Sequence, residues 1–99
     1  MSGFSDLCLT KSISFQPVGD DDKIKCFITF ERVQNDGKNS KFSGLAVFKR
    51  DVKNNDWDTV ASGNVSLLDL LKAQKDNSPL KVTTGKEFPS FCEVELFTV

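Results

Sequence analysis

Residues Lys41–Arg50, KFSGLAVFKR, predict a β-strand that has apolar residues on both faces, and the fold class follows from how this strand packs. Successive side chains of a strand point to opposite faces, so this strand can take either of two phases. In one phase Leu45 and Val47 are buried, and the outward set is Phe42, Ala46, Phe48 and Arg50. In the other phase the two phenylalanines are buried, Lys41 and Lys49 are exposed, and the central glycine can mark a bulge between the phases.

Strand-like alternation continues on both sides of this stretch. The first strand is predicted to bury Leu7, Leu9, Ile13 and Phe15, and the second to bury Ile24, Cys26, Ile28 and Phe30. Asp36-Gly37 is the hairpin signal before Lys41–Arg50. Residues 57–61, WDTVA, predict a short fourth strand. The last strand is predicted within residues 91–99, and the side chains on its inward face are Cys92, Val94, Leu96 and Thr98.

One helix is predicted after Gly63. Ser66 can cap its N-terminus, and Asp69 favours its first turn. The apolar side of this helix is formed by Leu67, Leu70 and Leu71. A helix does not easily run into a proline, so Pro79 marks its end.

The element order predicts a mainly β domain with one short helix that spans residues 1–99. Strands, a helix and two further strands follow the order of an OB-fold, a small five-stranded barrel. An open antiparallel sheet with the helix on one face, an α+β arrangement, is the alternative. From KFSGLAVFKR through VASGNVSLLDLLKAQ and LKVTTG to the last strand, the chain resembles bacterial and phage single-strand DNA-binding proteins in pattern.

Composition limits the class of protein. The chain has 99 residues, enough for one domain, with 38% hydrophobic and 27% charged residues and a net charge of -1. No run approaches the ~20 apolar residues that a spanning helix needs, so no membrane partner is expected. No secretory signal is visible, and three scattered cysteines suit reduced thiols, which predicts a cytoplasmic location, the host cytoplasm if the protein is viral.

The residue inventory argues against catalysis. There is no histidine and no tyrosine, and a serine or cysteine nucleophile is normally activated by a neighbouring base, most often histidine. We therefore expect a protein that is not an enzyme, with no catalytic residue, metal or cofactor.

Aromatic and basic residues point to binding instead. Nine phenylalanines are many for a core of this size, and alternation puts Phe27 on the face of Lys25, and Phe91 and Phe97 on the face of Glu93 and Glu95. Outward rings between basic residues are typical of single-stranded nucleic-acid binding. The predicted contact surface is Phe27, Lys38, Lys41, Phe42, Phe48, Lys49, Arg50 and Lys53.

A second hypothesis uses the same aromatic residues as anchors in a protein interface. The protein would then be a phage- or virus-encoded interaction module, such as an inhibitor of a host factor or a subunit of a particle. Both hypotheses predict a homo-oligomer, because one small domain that exposes several phenylalanines presents a sizeable apolar patch.

Overall fold

The structure, a computed structural model, describes residues 3–34, 37 and 40–99. Over these residues the chain forms six β-strands and one α-helix. Their bounds are β1 Ser5–Pro17, β2 Lys23–Arg32, β3 Lys41–Asp51, β4 Asp56–Thr59, α1 Leu67–Asp76, β5 Leu80–Thr84 and β6 Cys92–Phe97. This confirms the predicted mainly β fold with one short helix. The predicted hairpin signal at Asp36 lies outside the described residues.

Backbone pairing joins five of the strands into a closed ring, in the order β1–β2–β3–β6–β5–β1. All neighbours in the ring are antiparallel except β3 and β6, which run parallel through the pairs Gly44–Cys92 and Leu45–Glu93. β4 lies outside the ring as an edge strand that pairs with the end of β3, from Phe48 to Asp51. The WDTVA stretch therefore forms a hairpin with the third strand.

The third strand takes the phase that buries its phenylalanines. Phe48 is fully buried, and Gly44 and Ala46 are buried beside it. Pairing with β2 runs without a break from Lys41 to Lys49, so no bulge occurs at the glycine. An added Cβ at Gly44 would lie 2.6 Å from Val94 Cγ1, because the Val94 side chain of β6 lies against this glycine. Any larger residue here would force the Val94 side chain to move.

The predicted phase of the first strand is wrong over its first half. Cys8 and Thr10 face the core, whereas Leu7 is 37% exposed. The register shifts between Thr10 and Ser12, where β1 carries a bulge. One extra residue reverses the alternation, so that Ile13 beyond the bulge packs against the core as predicted. The predicted burial of Phe15 is wrong, because its side chain, although on the same side of the strand, is 46% exposed.

The second strand follows its predicted alternation, and so does the last one up to Leu96, whereas Thr98, predicted to face inward, is exposed beyond the end of β6. Cys26, Ile28 and Phe30 are buried, and so are Val94 and Leu96. The glutamates of β6 lie on the opposite side of their strand from the buried valine and leucine. These residues form one core with the buried part of the helix.

The helix begins and ends as its sequence predicts. The backbone N–H of Asp69 donates to Ser66 Oγ at 3.2 Å, and the N–H of Ser66 donates to Asp69 Oδ2 at 3.4 Å, which is a reciprocal capping box. Asn77, in the left-handed conformation, ends the helix. The side that faces the ring carries Leu67, Leu70 and Ala73, all buried, with Leu71 partly buried.

Asp56 connects the edge strand to the start of this helix. Its Oδ1 accepts the backbone N–H groups of Trp57 at 2.7 Å and Leu68 at 3.1 Å. Desolvation acts to raise the pKa of this carboxyl, but hydrogen bonds from the Ser66 hydroxyl and from these two amides lower it overall. The ionised carboxylate is therefore the form that holds α1 against β4.

We expect Asp56→Ala to lower the free energy of unfolding by about 0.5–2 kcal/mol, the usual effect of losing a side-chain cap. Because the pKa is lowered in the folded state, this contribution is present above the ordinary aspartate pKa and is lost as the pH falls through the folded-state value. Urea unfolding at neutral and acidic pH measures both effects. Asp58→Ala, an exposed aspartate on the same strand, is the control. Equal losses in the two variants would contradict the assigned role.

Candidate nucleic-acid interface

The surface of interest is the outer face of β2 and β3, formed by the odd-numbered residues of these strands. Residues opposite each other in an antiparallel pair share a face, so the register arranges this surface in five rungs. In order along the strands, the rungs pair Lys23 with Lys49, Lys25 with Val47, Phe27 with Leu45, Thr29 with Ser43, and Glu31 with Lys41. β1 extends four of them with Gln16, Ser14, Ser12 and Leu9.

An aromatic pair occupies the middle of the outer face. The rings of Phe27 and Phe91 stack with centroids 5.6 Å apart and an angle of 24° between their planes. Phe91 comes from the 85–91 connection between β5 and β6, and the pairing of Cys92 with Gly44 brings it to this face. Half of the Phe91 surface remains exposed. The pair therefore offers a ring to solvent rather than closing the core.

Lysines lie at both ends of the outer face. Lys23, Lys25 and Lys49 lie on one side of the aromatic pair, and Lys41 lies on the other. Within the described part of the chain, none of these four forms an ion pair. Acidic groups lie beside these lysines: Asp58 of β4 is opposite Lys49, Glu93 of β6 is opposite Leu45, and the 20–22 turn adjoins Lys23. The positive charge of the face is therefore concentrated on β2 and β3, between acidic neighbours.

The structure brings together three of the predicted contact residues and separates the rest. Phe27, Lys41 and Lys49 share the outer face. The prediction that Phe42 and Phe48 lie on the exposed face is wrong, because the strand takes the opposite phase. Phe48 is fully buried. Phe42 packs inside against three other rings, those of Phe4, Phe30 and Phe88.

Two predicted basic residues lie away from the outer face. Arg50 is exposed at the end of β3 but has the parity of the inward residues, and it pairs with Trp57 of the edge strand. Lys53 lies in the exposed turn between β3 and β4. Lys38 lies outside the described residues.

Several residues of this surface were missing from the predicted contact set. The alternation of β2 already places Lys23 and Lys25 on the side of Phe27, so this signal was available in the sequence. Phe91 could only be placed beside Phe27 once the pairing of β6 with β3 was known. Lys11 and Glu31 come together through the bulge in β1, which the sequence pattern does not reveal.

A groove of about 500 Å³ lies at the far end of the outer face, near the bulge. Its polar lining combines Lys11, Thr29, Glu31, Lys41 and Ser43, and Phe30 and Phe42 complete it. Lys11 Nζ lies 3.9 Å from Glu31 Oε1, which is an ion pair too long for a hydrogen bond. Thr29 exchanges a hydrogen bond with the hydroxyl of Ser12.

The cysteine thiols and the acidic side chains are the other reactive groups of the described residues. Burial raises the pKa of the Cys8 thiol to about 12 and that of Cys26 to about 11, so both stay protonated at neutral pH and are poor nucleophiles. Among the described residues, no group of three or more Cys, Asp or Glu is arranged to hold a metal ion. In the same part of the chain, no helix has the length and apolar character needed to cross a bilayer.

Comparison of the chain with protein-family models, with curated proteins and with solved structures found no match.

Proposed function

We propose that this protein is a non-enzymatic binding protein that holds single-stranded nucleic acid across the outer face of β2 and β3. The observation that carries the proposal is the Phe27–Phe91 pair, with Phe91 half exposed, between Lys23, Lys25 and Lys49 on one side and Lys41 on the other, none of them in an ion pair with a described residue. Proteins of this kind stack bases on aromatic rings and hold the backbone with basic side chains. A duplex hides the faces of its bases, so this arrangement favours a single strand.

The strand order supports the same proposal. The ring β1–β2–β3–β6–β5, with its parallel β3–β6 pair and a helix before β5, agrees with the order of an OB-fold. OB-folds bind oligonucleotides on the face of their second and third strands and with two loops, one after the first strand and one after the fourth. The corresponding segments here are the outer face, the 18–22 turn and the 85–91 connection, which supplies Phe91. We infer an OB-like arrangement on this basis.

A salt titration tests the proposal. The affinity for a single strand is expected to fall with a slope of log K against log salt of about −0.7 for each phosphate held, which is roughly −2 for Lys23, Lys25 and Lys49. We expect Lys25→Ala/Lys49→Ala to reduce this slope by roughly 1.4. Fluorescence anisotropy of a labelled oligonucleotide of mixed sequence, over a range of potassium chloride concentrations, measures both.

The matched control is Lys72→Ala/Lys75→Ala, which removes two exposed lysines from the helix. Its slope is expected to equal that of the unmodified protein. Absence of binding at low salt would overturn the proposed function. An equal loss in both double variants would show that general charge, and not the outer face, holds the strand.

A protein interface on the same surface is the second candidate function. The observation that favours it is that Leu45 and Val47 lie beside Phe27 and Phe91, which gives an apolar strip along β3. Such an interface changes little with salt, whereas phosphate binding weakens steeply. A homo-oligomer joined through this strip, a viral origin and a cytoplasmic location remain predictions from the sequence.

A further inference from the structure

The groove beside the bulge contains a carboxylate, Glu31, as well as lysines. A surface that only held phosphate would not need this carboxylate. Glu31 lies four residues from Phe27 along β2, which is roughly 13 Å from the aromatic pair on the same face. Lys11 and Lys41 flank it and compensate its charge. A phosphate placed here would meet the Glu31 carboxylate, so a neutral group that both donates and accepts hydrogen bonds suits the groove better.

Glu31 also has unused hydrogen-bonding capacity. A carboxylate has about four acceptor positions. Within the described residues, the partner of this carboxylate is Lys11 at 3.9 Å, beyond hydrogen-bonding distance. The hydroxyls of Thr29 and Ser43, one rung away, line the same groove. A small number of placed polar groups of this kind fixes the orientation of a ligand in a small-ligand site.

The bases differ in what they present to such an acceptor. Cytosine carries an amino group at N4, and adenine and guanine carry amino groups at N6 and N2. Thymine presents an acceptor oxygen, O4, in the place where cytosine presents its N4 amino group. Uracil matches thymine there, so a carboxylate attracts the amino group of cytosine and repels the oxygen of uracil or thymine.

We propose that the groove formed by Lys11, Thr29, Glu31, Lys41 and Ser43 is a base-reading site that accepts a nucleobase with an exocyclic amino group and discriminates against uracil and thymine. This inference rests on the proposed function, because it needs a strand bound on the outer face. Glu31 is the specificity-determining residue. Lys11, whose Nζ lies 3.9 Å from the carboxylate, is a positioning residue, and Lys41 is the residue opposite Glu31 on β3.

The test compares single-stranded oligonucleotides that differ in one base, whose pairing edge changes at the C4 substituent and at N3. An oligomer of deoxyuridine is compared with versions that carry one deoxycytidine at successive positions, so that no C5-methyl group changes. We expect the unmodified protein to bind the best-placed cytosine version about tenfold more tightly, as for one hydrogen bond to a charged group. Glu31→Gln is expected to lose this preference while still binding, because its amide both donates and accepts.

Glu93→Gln is the matched control, since Glu93 is an exposed acid of β6 that does not line the groove. It should keep the preference for cytosine. Two results would overturn the inference but leave the proposed function in place. One is equal binding of the two oligonucleotides, and the other is a preference for cytosine that survives in Glu31→Gln. Failure to bind either oligonucleotide at low salt overturns the proposed function and the inference with it.

Discussion

Replacing Phe48 by alanine is expected to lower the free energy of unfolding by about 3–5 kcal/mol. Its side chain is fully buried at the middle of the core. The loss combines the hydrophobic transfer free energy of the ring with a cavity that neighbouring strands can fill only in part. A domain of this size has about 5–15 kcal/mol of stability, so the variant loses a large share of it.

Urea unfolding followed by the fluorescence of Trp57, which packs against the core, measures this loss. Phe48→Leu is a milder variant that keeps the test informative if the alanine variant does not fold. Val52→Ala, at a residue that is 78% exposed, is the control and should change stability little. A loss below about 1 kcal/mol for Phe48→Ala would contradict the buried phase of β3, since exposed positions rarely contribute more.

The second large effect is expected on binding. Phe27→Ala and Phe91→Ala should each weaken the affinity for single-stranded nucleic acid by about 1–3 kcal/mol, which is roughly 5- to 150-fold. Each variant removes one ring of the stacked pair. The double variant should lose less than the sum of the two, because both rings contribute to the same stack. Anisotropy titration at low salt gives the affinities, and circular dichroism checks folding.

Phe15→Ala provides a comparison with a similar loss of aromatic surface. Phe15 is 46% exposed but pairs with the buried Cys26, so it lies on the other side of the β1–β2 hairpin from Phe27. The affinity of the Phe15→Ala variant for single-stranded nucleic acid should match that of the unmodified protein. If Phe91→Ala binds as tightly as the unmodified protein, the exposed ring is not a platform for bases, and the protein-interface function becomes the better explanation.

Local patterns were enough to predict part of this fold. The alternation around Cys26 and Ile28 has apolar residues on one face and mainly polar ones on the other, so it allowed only one phase. The helix was equally clear, because Ser66 and Asp69 mark its start independently of any packing. These signals lie within a few residues of one another, which is why the sequence alone carries them.

The third strand was ambiguous for a physical reason. Leu45 and Val47 lie on the outer face, where they border the aromatic pair, and so the exposed side is as apolar as the buried one. The bulge in β1 is invisible for a related reason, since Leu7 and Leu9 suggest a core face that Cys8 and Thr10 actually provide. Small residues such as Cys8 and Thr10 are enough to fill the interior of a narrow ring of strands. The hydrophobicity of the sequence does not indicate where such small residues face the core.

The site was predicted less well than the fold. Phe27, Lys41 and Lys49 were found because they alternate with core residues of the same strand. Phe91 and the groove depend on contacts between distant segments, which periodicity cannot indicate.

The parallel pairing that closes the ring also affects how quickly the binding surface can be assembled. β1, β2 and β3 follow one another along the chain, so their contacts form between near neighbours. Gly44 and Cys92 lie almost half a chain apart, and pairing such distant segments costs more loop-closure entropy and slows folding. Phe91 reaches Phe27 only when this pairing forms. A chain that has folded only its first three strands therefore has the lysines of the outer face but not its aromatic pair.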